Sequence, residues 1–297
     1  MSQQDLLEIP DAADAFRKRW REIGRLSQEL RDVEVCNAFF EDSTRTRVSF
    51  ELAAKRLGAR TVSISASGTS VSKGEPLLDT LHTVVAMGVD IVVVRHRGSG
   101  TAACLAGQLD ACLINAGDGE HEHPTQGLLD LLTLRDAWQG RFEGRRLAII
   151  GDIAHSRVAR SAIFGLATLG TAVTVAGPAT LAPAGIERLG CGVARGVEEA
   201  LEDADAVMAI RIQRERMEGG LLSLAGEYAR VWGIREDRVR LMKPGAVVLH
   251  PGPMNRGVEI ASDVADGERS AILDQVESGV AVRCAVLTRC AAAMAKA

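Results

Sequence analysis

The segment Glu41-Asp42-Ser43-Thr44-Arg45-Thr46-Arg47 stands directly after the expected strand Val35–Phe40 and ahead of an amphipathic stretch through Phe50, Ala54 and Leu57. Ser43 is a good helix N-cap. The first turn of a helix offers unpaired N–H groups and a partial positive charge, so hydroxyls and a guanidinium there make a phosphate pocket. Arg45 could grip a phosphate through two parallel N–H bonds. The competing reading is an ordinary capped helix with solvated arginines. Arg95 closes the apolar run Ile91–Val94, where a buried guanidinium needs an anion. A local carboxylate would meet that need as well as a ligand. Its neighbour His96 falls on the opposite strand face and reads as a packing or hydrogen-bonding residue.

Glu120-His121-Glu122-His123-Pro124-Thr125-Gln126 has the ligand types of a metal site. Against that, His121 and His123 alternate instead of sharing a helical face, and no third cluster of soft ligands accompanies them. The turn Gly151-Asp152-Ile153-Ala154-His155-Ser156-Arg157 follows a strand where a dinucleotide fingerprint would sit, yet Gly-x-Gly-x-x-Gly is absent. Arg211-Ile212-Gln213-Arg214-Glu215-Arg216 follows another strand, Asp205–Ile210. Its alternating charges read as a solvated helix face for Arg214 and Arg216.

These segments need elements to position them. Apolar residues Phe16, Trp20, Ile23, Leu26 and Leu30 recur at steps of three and four, which predicts a helix between Asp11 and Leu30. Strands are expected at Val35–Phe40, Thr61–Ile64, Ile91–Val94 and Cys112–Asn115, with helices at Ser43–Leu57, Pro76–Met87 and Pro124–Asp136. The segment Trp138–Arg146, with Gly140 and Gly144 among charges, interrupts the pattern and is the boundary candidate. Strands then follow at Leu147–Ile150, Ala172–Ala176, Asp205–Ile210 and Ala246–Leu249, with a helix at Ser156–Leu169. The C-terminal run Ser270–Ala295 reads as a helix able to pack back across the first domain. Alternation of this kind predicts an α/β fold of doubly wound parallel sheets, and ligands then sit beyond the carboxyl ends of the strands.

At 297 residues the chain suits two domains of about 100 to 150 residues each. Aromatics are 3%, so the cores must be built from Ala, Val, Leu and Ile. A net charge of −4 with scattered Lys and Arg leaves no basic stripe for nucleic acid. The six cysteines form no CxxC pair or zinc spacing and read as reduced, mostly buried thiols of a cytoplasmic protein. No stretch approaches the roughly 20 apolar residues of a membrane span.

Ser43-Thr44-Arg45-Thr46-Arg47 between strand and helix resembles the hallmark of the aspartate/ornithine carbamoyltransferase family. The resemblance recurs in Ser72-Lys73-Gly74-Glu75, Arg95-His96, His123-Pro124-Thr125-Gln126, Asp152 through Arg157, Arg211-Ile212-Gln213 and His250-Pro251-Gly252-Pro253, in the family's order. It implies a carbamoyl-phosphate-binding domain over residues 1–137 plus a C-terminal helix 280–297, and an aspartate-binding domain over 145–279. Carbamoyl phosphate is expected on Ser43, Thr44, Arg45, Thr46, Arg95, His123, Gln126, Gly252 and Pro253. Lys73, Arg157, Arg211 and Gln213 are expected on aspartate, while His123, Arg95, Thr46 and Arg45 carry the catalysis. No metal or organic cofactor is implied. A homotrimer with shared sites is, and an assembly with regulatory chains or a dihydroorotase stays open. Ornithine enzymes typically show His-Cys-Leu-Pro where this chain has His250-Pro251-Gly252-Pro253, so aspartate is the expected acceptor in a step of pyrimidine biosynthesis. The alternatives are a carbamoyltransferase for another amine and a non-catalytic homologue that scaffolds a pyrimidine enzyme. Asp42 in place of a proline, and Pro76 in place of a serine, depart from the family pattern without removing a ligand.

Overall fold

The computed structural model describes residues 1–23, 27–65, 74–212 and 225–295. Two compact units result, Met1–Leu132 with Glu277–Ala297, and Thr133–Val276. The expected Lys73 and Gln213 lie outside the described residues.

The first unit opens with α1 (Gln3–Ile23). It starts eight residues before the apolar periodicity does. Ser2 and Asp5 explain this: the Asp5 N–H donates to Ser2 Oγ at 3.1 Å and the Ser2 N–H to Asp5 Oδ2 at 2.8 Å, a reciprocal cap. Then follow β1 (Glu34–Phe39), α2 (Thr44–Arg56), β2 (Arg60–Ser65), α3 (Leu77–Ala86), β3 (Ile91–His96), α4 (Thr101–Leu105), β4 (Cys112–Asp118) and α5 (Pro124–Ala137). The strands form one parallel sheet in the order β2-β1-β3-β4.

Strand alternation builds a core on each face. Val35, Phe39, Ile91 and Val93 point to one side and pack with Phe50, Ala53, Ala54 and Leu57 of α2. Cys36, Ala38, Val92 and Val94 point to the other and meet Leu81 of α3 and Leu105 of α4. With both faces covered, these strands are near-continuous apolar runs instead of alternating ones, interrupted in β1 by the buried Asn37. Each fully buried Val, Leu or Ile contributes about 1.5–3 kcal/mol.

The second unit contains β5 (Arg146–Ile150), α6 (Arg157–Thr168), β6 (Ala172–Ala176), β7 (Gly192–Val193), α7 (Val197–Leu201), β8 (Ala206–Ala209), α8 (Ala225–Trp232), α9 (Glu236–Val239), β9 (Val247–Leu249) and α10 (Ser262–Ala265). All strands are parallel, in the order β7-β6-β5-β8-β9. The last helix, α11 (Ile272–Met294), places Val280, Cys284 and Leu287 in the core of the first unit beside α2.

The segment 138–146 is folded. Trp138 and Phe142 are buried and stack edge to face at 5.9 Å. Arg145 pairs with the buried Asp205 at 2.7 Å, and Lys243 meets the other oxygen of Asp205 at 2.9 Å. All six cysteines are free thiols: Cys36, Cys191 and Cys284 are buried, Cys112 and Cys290 half-buried, and Cys104 is exposed, where a mostly buried set was expected. Burial pushes the Cys36 thiol up to about 11. Among the described residues no helix is long and apolar enough to cross a membrane.

Candidate active site

In the first unit the strand order reverses between β1 and β3, and the residues of interest leave from their carboxyl ends. Phe39 lies opposite Arg95 in the register, and the Phe40 N–H donates to the Arg95 carbonyl at 2.8 Å. The turn Glu41–Ser43 is therefore tied to the strand that carries Arg95. The Arg95 side chain is buried, donating to the Ala116 carbonyl at 3.2 Å and lying 3.5 Å from Glu41. A local carboxylate thus faces this guanidinium, as the alternative reading allowed, at a separation long for a charge-assisted bond.

Ser43 is the N-cap of α2, with extended backbone (φ −163, ψ 94) and no hydrogen bond from its hydroxyl to the helix. The first turn of α2 contains no acidic residue. Thr44 and Arg45 are exposed, whereas Thr46 turns inward and is buried. The inward turn brings Thr46 Oγ1 to 3.5 Å from Nε2 of the buried His123, 77 residues further on. His123 immediately precedes α5, and its carbonyl accepts the Gln126 and Gly127 N–H groups at 2.9 and 3.1 Å. Pro124 occupies the first helical position, which its fixed φ suits. Gln126 is buried one turn into α5 and donates through Nε2 to Asp130 Oδ1 at 2.9 Å.

Two further histidines of this unit, His121 and His96, have structural partners. His121 is about half exposed and lies 3.1 Å from Asp118. His96 Nδ1 accepts the Gly98 N–H at 3.0 Å and sits 2.9 Å from Thr101 Oγ1, while burial and then Arg97 hold its pKa below the ordinary value.

In the second unit the order reverses between β5 and β8. Gly151, just beyond β5, has φ +138, and a Cβ there would stand 2.5 Å from the Ile210 carbonyl oxygen. Only glycine allows the two strand ends to lie this close. The following turn is built on Asp152, which is fully buried and accepts from the His155 backbone at 3.2 Å and its ring at 2.8 Å. Ser156 then caps α6, its hydroxyl accepting from Ala159 at 3.1 Å. The first residue of that helix is the buried Arg157. Arg211 follows from β8 and is half-buried.

Beyond β9, His250 organises the loop that holds Gly252 and Pro253. The Gly252 N–H donates to His250 Nδ1 at 2.8 Å, so His250 donates from Nε2 to Glu259 at 3.1 Å. Glu259 also accepts the Asn255 N–H at 2.5 Å, and Gln275 accepts the His250 N–H at 2.8 Å. Burial, then Glu259 and Asp152, raise the pKa of the Tyr228 phenol. Sequence reading missed Asp130, Glu259, Gln275 and Tyr228. Only Asp130 had a signal, the four-residue spacing that puts it on the same helical face as Gln126.

Two family models match the chain. The one described as "Aspartate/ornithine carbamoyltransferase, carbamoyl-P binding domain" covers residues 1–136, and the one described as "Aspartate/ornithine carbamoyltransferase, Asp/Orn binding domain" covers residues 143–290. The aspartate carbamoyltransferase catalytic subunit of Pelotomaculum thermopropionicum is 59% identical over 258 residues, 87% of this chain and 83% of that protein. The crystal structure of aspartate transcarbamoylase from Trypanosoma cruzi with carbamoyl aspartate and phosphate superposes with a TM-score of 0.86 at 29% identity, covering 97% of this chain and 92% of that one. Ornithine carbamoyltransferase from Pyrococcus furiosus gives 0.84 at 26% identity, over 97% and 93%. With both halves matched and strand ends that carry the family's motifs, the chain belongs to the aspartate/ornithine carbamoyltransferase family.

Proposed function

We propose that this carbamoyltransferase transfers the carbamoyl group of carbamoyl phosphate to the amine of L-aspartate, giving N-carbamoyl-L-aspartate and phosphate in pyrimidine biosynthesis. The observation that carries the choice of acceptor is the pair of arginines, Arg157 and Arg211, at the adjoining ends of β5 and β8. Two guanidiniums suit a dicarboxylate and repel the side-chain ammonium of ornithine. The high identity to a catalytic subunit named for aspartate supports the same choice.

The first unit is the carbamoyl-phosphate-binding domain and the second the aspartate-binding domain. Ser43, Thr44, Arg45 and Thr46 hold the phosphate at the α2 N-terminus, together with Arg95. Gln126 and the main-chain carbonyls of Gly252 and Pro253 accept from the carbamoyl NH2. Arg157, Arg211, Gln213 and Lys73 hold the aspartate carboxylates. The amine nitrogen attacks the carbamoyl carbon, and fixing both substrates makes that attack effectively unimolecular. Negative charge grows on the carbamoyl oxygen, where His123, Arg95 and Thr46 donate; one such donor contributes about 10²- to 10³-fold. The carbon–oxygen bond to phosphate then breaks, and phosphate leaves with the proton from the amine. No metal or organic cofactor enters these steps. The chain acts in the cytoplasm as a homotrimer in which Lys73 of one chain completes its neighbour's site.

The test is product analysis. With carbamoyl phosphate and equal L-aspartate and L-ornithine, carbamoyl aspartate should form and citrulline should not. Citrulline as the main product would transfer the assignment to the ornithine branch, and formation of neither would make the chain a non-catalytic homologue.

A further inference from the structure

We propose that the buried Asp130 sets which end of the Gln126 amide meets the substrate, making it a positioning residue for carbamoyl phosphate. The inference rests on the reading of Gln126 as the acceptor for the carbamoyl NH2.

The two ends of a glutamine amide differ only in their chemistry: the nitrogen donates and the oxygen accepts. A carbamoyl NH2 requires the oxygen. Turned the other way, the amide would set one NH2 against another. The orientation here is dictated from behind. Gln126 and Asp130 share a face of α5, and Gln126 Nε2 donates to Asp130 Oδ1 at 2.9 Å. An ionised carboxylate accepts only, so the amide nitrogen must face it and the oxygen is left for the ligand.

Asp130 is 1% exposed, and a carboxylate so buried needs a compensating charge to stay ionised. Arg283 of α11 brings a positive charge into the same core. That guanidinium is 4% exposed; burial pulls its pKa down to about 10, with the charge of Asp130 acting against the fall, so it is cationic at neutral pH. Its placement is built, not incidental. It lies 5.1 Å from the ring of Phe50 on α2, the helix whose first turn holds the phosphate site. One turn earlier on α11 stands Gly279, where a Cβ would be 2.7 Å from Arg283 Nη1 and 3.2 Å from Leu129 of α5. Glycine thus leaves the space in which the arginine folds back between the helices. A buried carboxylate seldom stabilises more than a well-packed apolar residue of similar size, so stability alone does not explain the presence of Asp130. Control of an amide that must present one end to the substrate does.

The test compares three anions on the intact protein by calorimetry: carbamoyl phosphate, acetyl phosphate, which has a methyl group in place of NH2, and inorganic phosphate. Asp130→Asn lets the amide turn either way. It should weaken carbamoyl phosphate binding by about 10- to 100-fold, the range for a hydrogen bond to a charged group, and leave acetyl phosphate and phosphate unchanged. Because Asp130→Asn strands the Arg283 charge, the double variant Asp130→Leu/Arg283→Met removes both. It should unfold no earlier than wild type and still bind carbamoyl phosphate no better than acetyl phosphate. Retention of the wild-type preference for carbamoyl over acetyl phosphate in either variant overturns the proposal. So does an equal loss of all three ligands, which marks a purely structural role. If the wild-type protein itself shows no preference for carbamoyl phosphate, the reading of Gln126 fails first.

Discussion

Replacing Gly151 by alanine should separate the two ends of the aspartate grip while leaving the phosphate pocket alone. The new Cβ would lie 2.5 Å from the Ile210 carbonyl oxygen, where ordinary contact begins at 3.4 Å, so the ends of β5 and β8 must part by close to 1 Å. The backbone at φ +138 adds strain of roughly 1–3 kcal/mol for a residue with a side chain. Two hydrogen bonds stand in the way of the movement, Gly151 N–H to the Ala176 carbonyl at 3.0 Å and Ile210 N–H to the Ile150 carbonyl at 2.8 Å. Weakening them costs about 0.5–1.5 kcal/mol each. The expected loss of stability is about 2–6 kcal/mol, read as a shift of the urea midpoint. Arg157 and Arg211 follow from these two strand ends, and a misplacement of that size can cost on the order of 10²-fold in rate. The KM for aspartate should rise steeply while the affinity for inorganic phosphate stays at the wild-type value. A variant within 1 kcal/mol of wild type with an unchanged aspartate KM would refute the argument that this glycine holds the grip together.

Arg45→Ala should abolish turnover with little change in melting temperature, because an exposed arginine contributes little folding energy; mixed with Lys73→Ala chains, then dissociated and reassociated, it should regain a fraction of wild-type activity, and a mixture as inactive as its parents would show that each chain carries a complete site. Asp205→Asn should destabilise the second unit by roughly 2–4 kcal/mol, since the carboxylate is 4% exposed and meets Arg145, Lys243 and the Arg146 N–H. Burial acts to raise the pKa of Asp205, but hydrogen bonds from Arg145 and Lys243 override it and hold the group below 3.8. That stabilisation is therefore complete above the unfolded value and disappears as pH falls through the lowered one. Acid unfolding curves of the two proteins should converge there.

The central strands were legible because both their faces are covered. Ile91–Val94 is an unbroken apolar run and Val35–Phe39 is interrupted only by Asn37, and the glycines and hydroxyls after them announce the turns. The start of α2 was legible from local chemistry: Ser43 takes the N-cap position, although its hydroxyl makes no hydrogen bond to the helix. What escaped has no local signature. The strand Gly192–Val193 has two residues and the helices Glu236–Val239 and Ser262–Ala265 four each, too few to show a period. The early start of α1 depends on Ser2 and Asp5, outside the apolar repeat. Buried polar partners depend on the fold itself: Thr46 meets His123 across 77 residues and His250 meets Gln275 across 25, and no spacing rule links either pair.

Topology explains why the two recognition sets fall where they do. In a parallel sheet, the crossovers from two adjacent strands leave in opposite directions only where the strand order reverses, and the crevice opens there. The first unit has that reversal between β1 and β3, the strands that deliver the Ser43–Thr46 turn and Arg95. The second has it between β5 and β8, which deliver Arg157 and Arg211. Each set of charges is thus anchored to a pair of buried, fully hydrogen-bonded strands, so its geometry exists before ligand arrives and little reorganisation remains to be done in the transition state. Because each pair belongs to a separate core, a substitution that disturbs one strand junction should alter recognition of one substrate and spare the other. Side-chain exchange within α5 behaves differently, since there Gln126, the proposed contact to the carbamoyl group, is aimed by Asp130 instead of by the sheet.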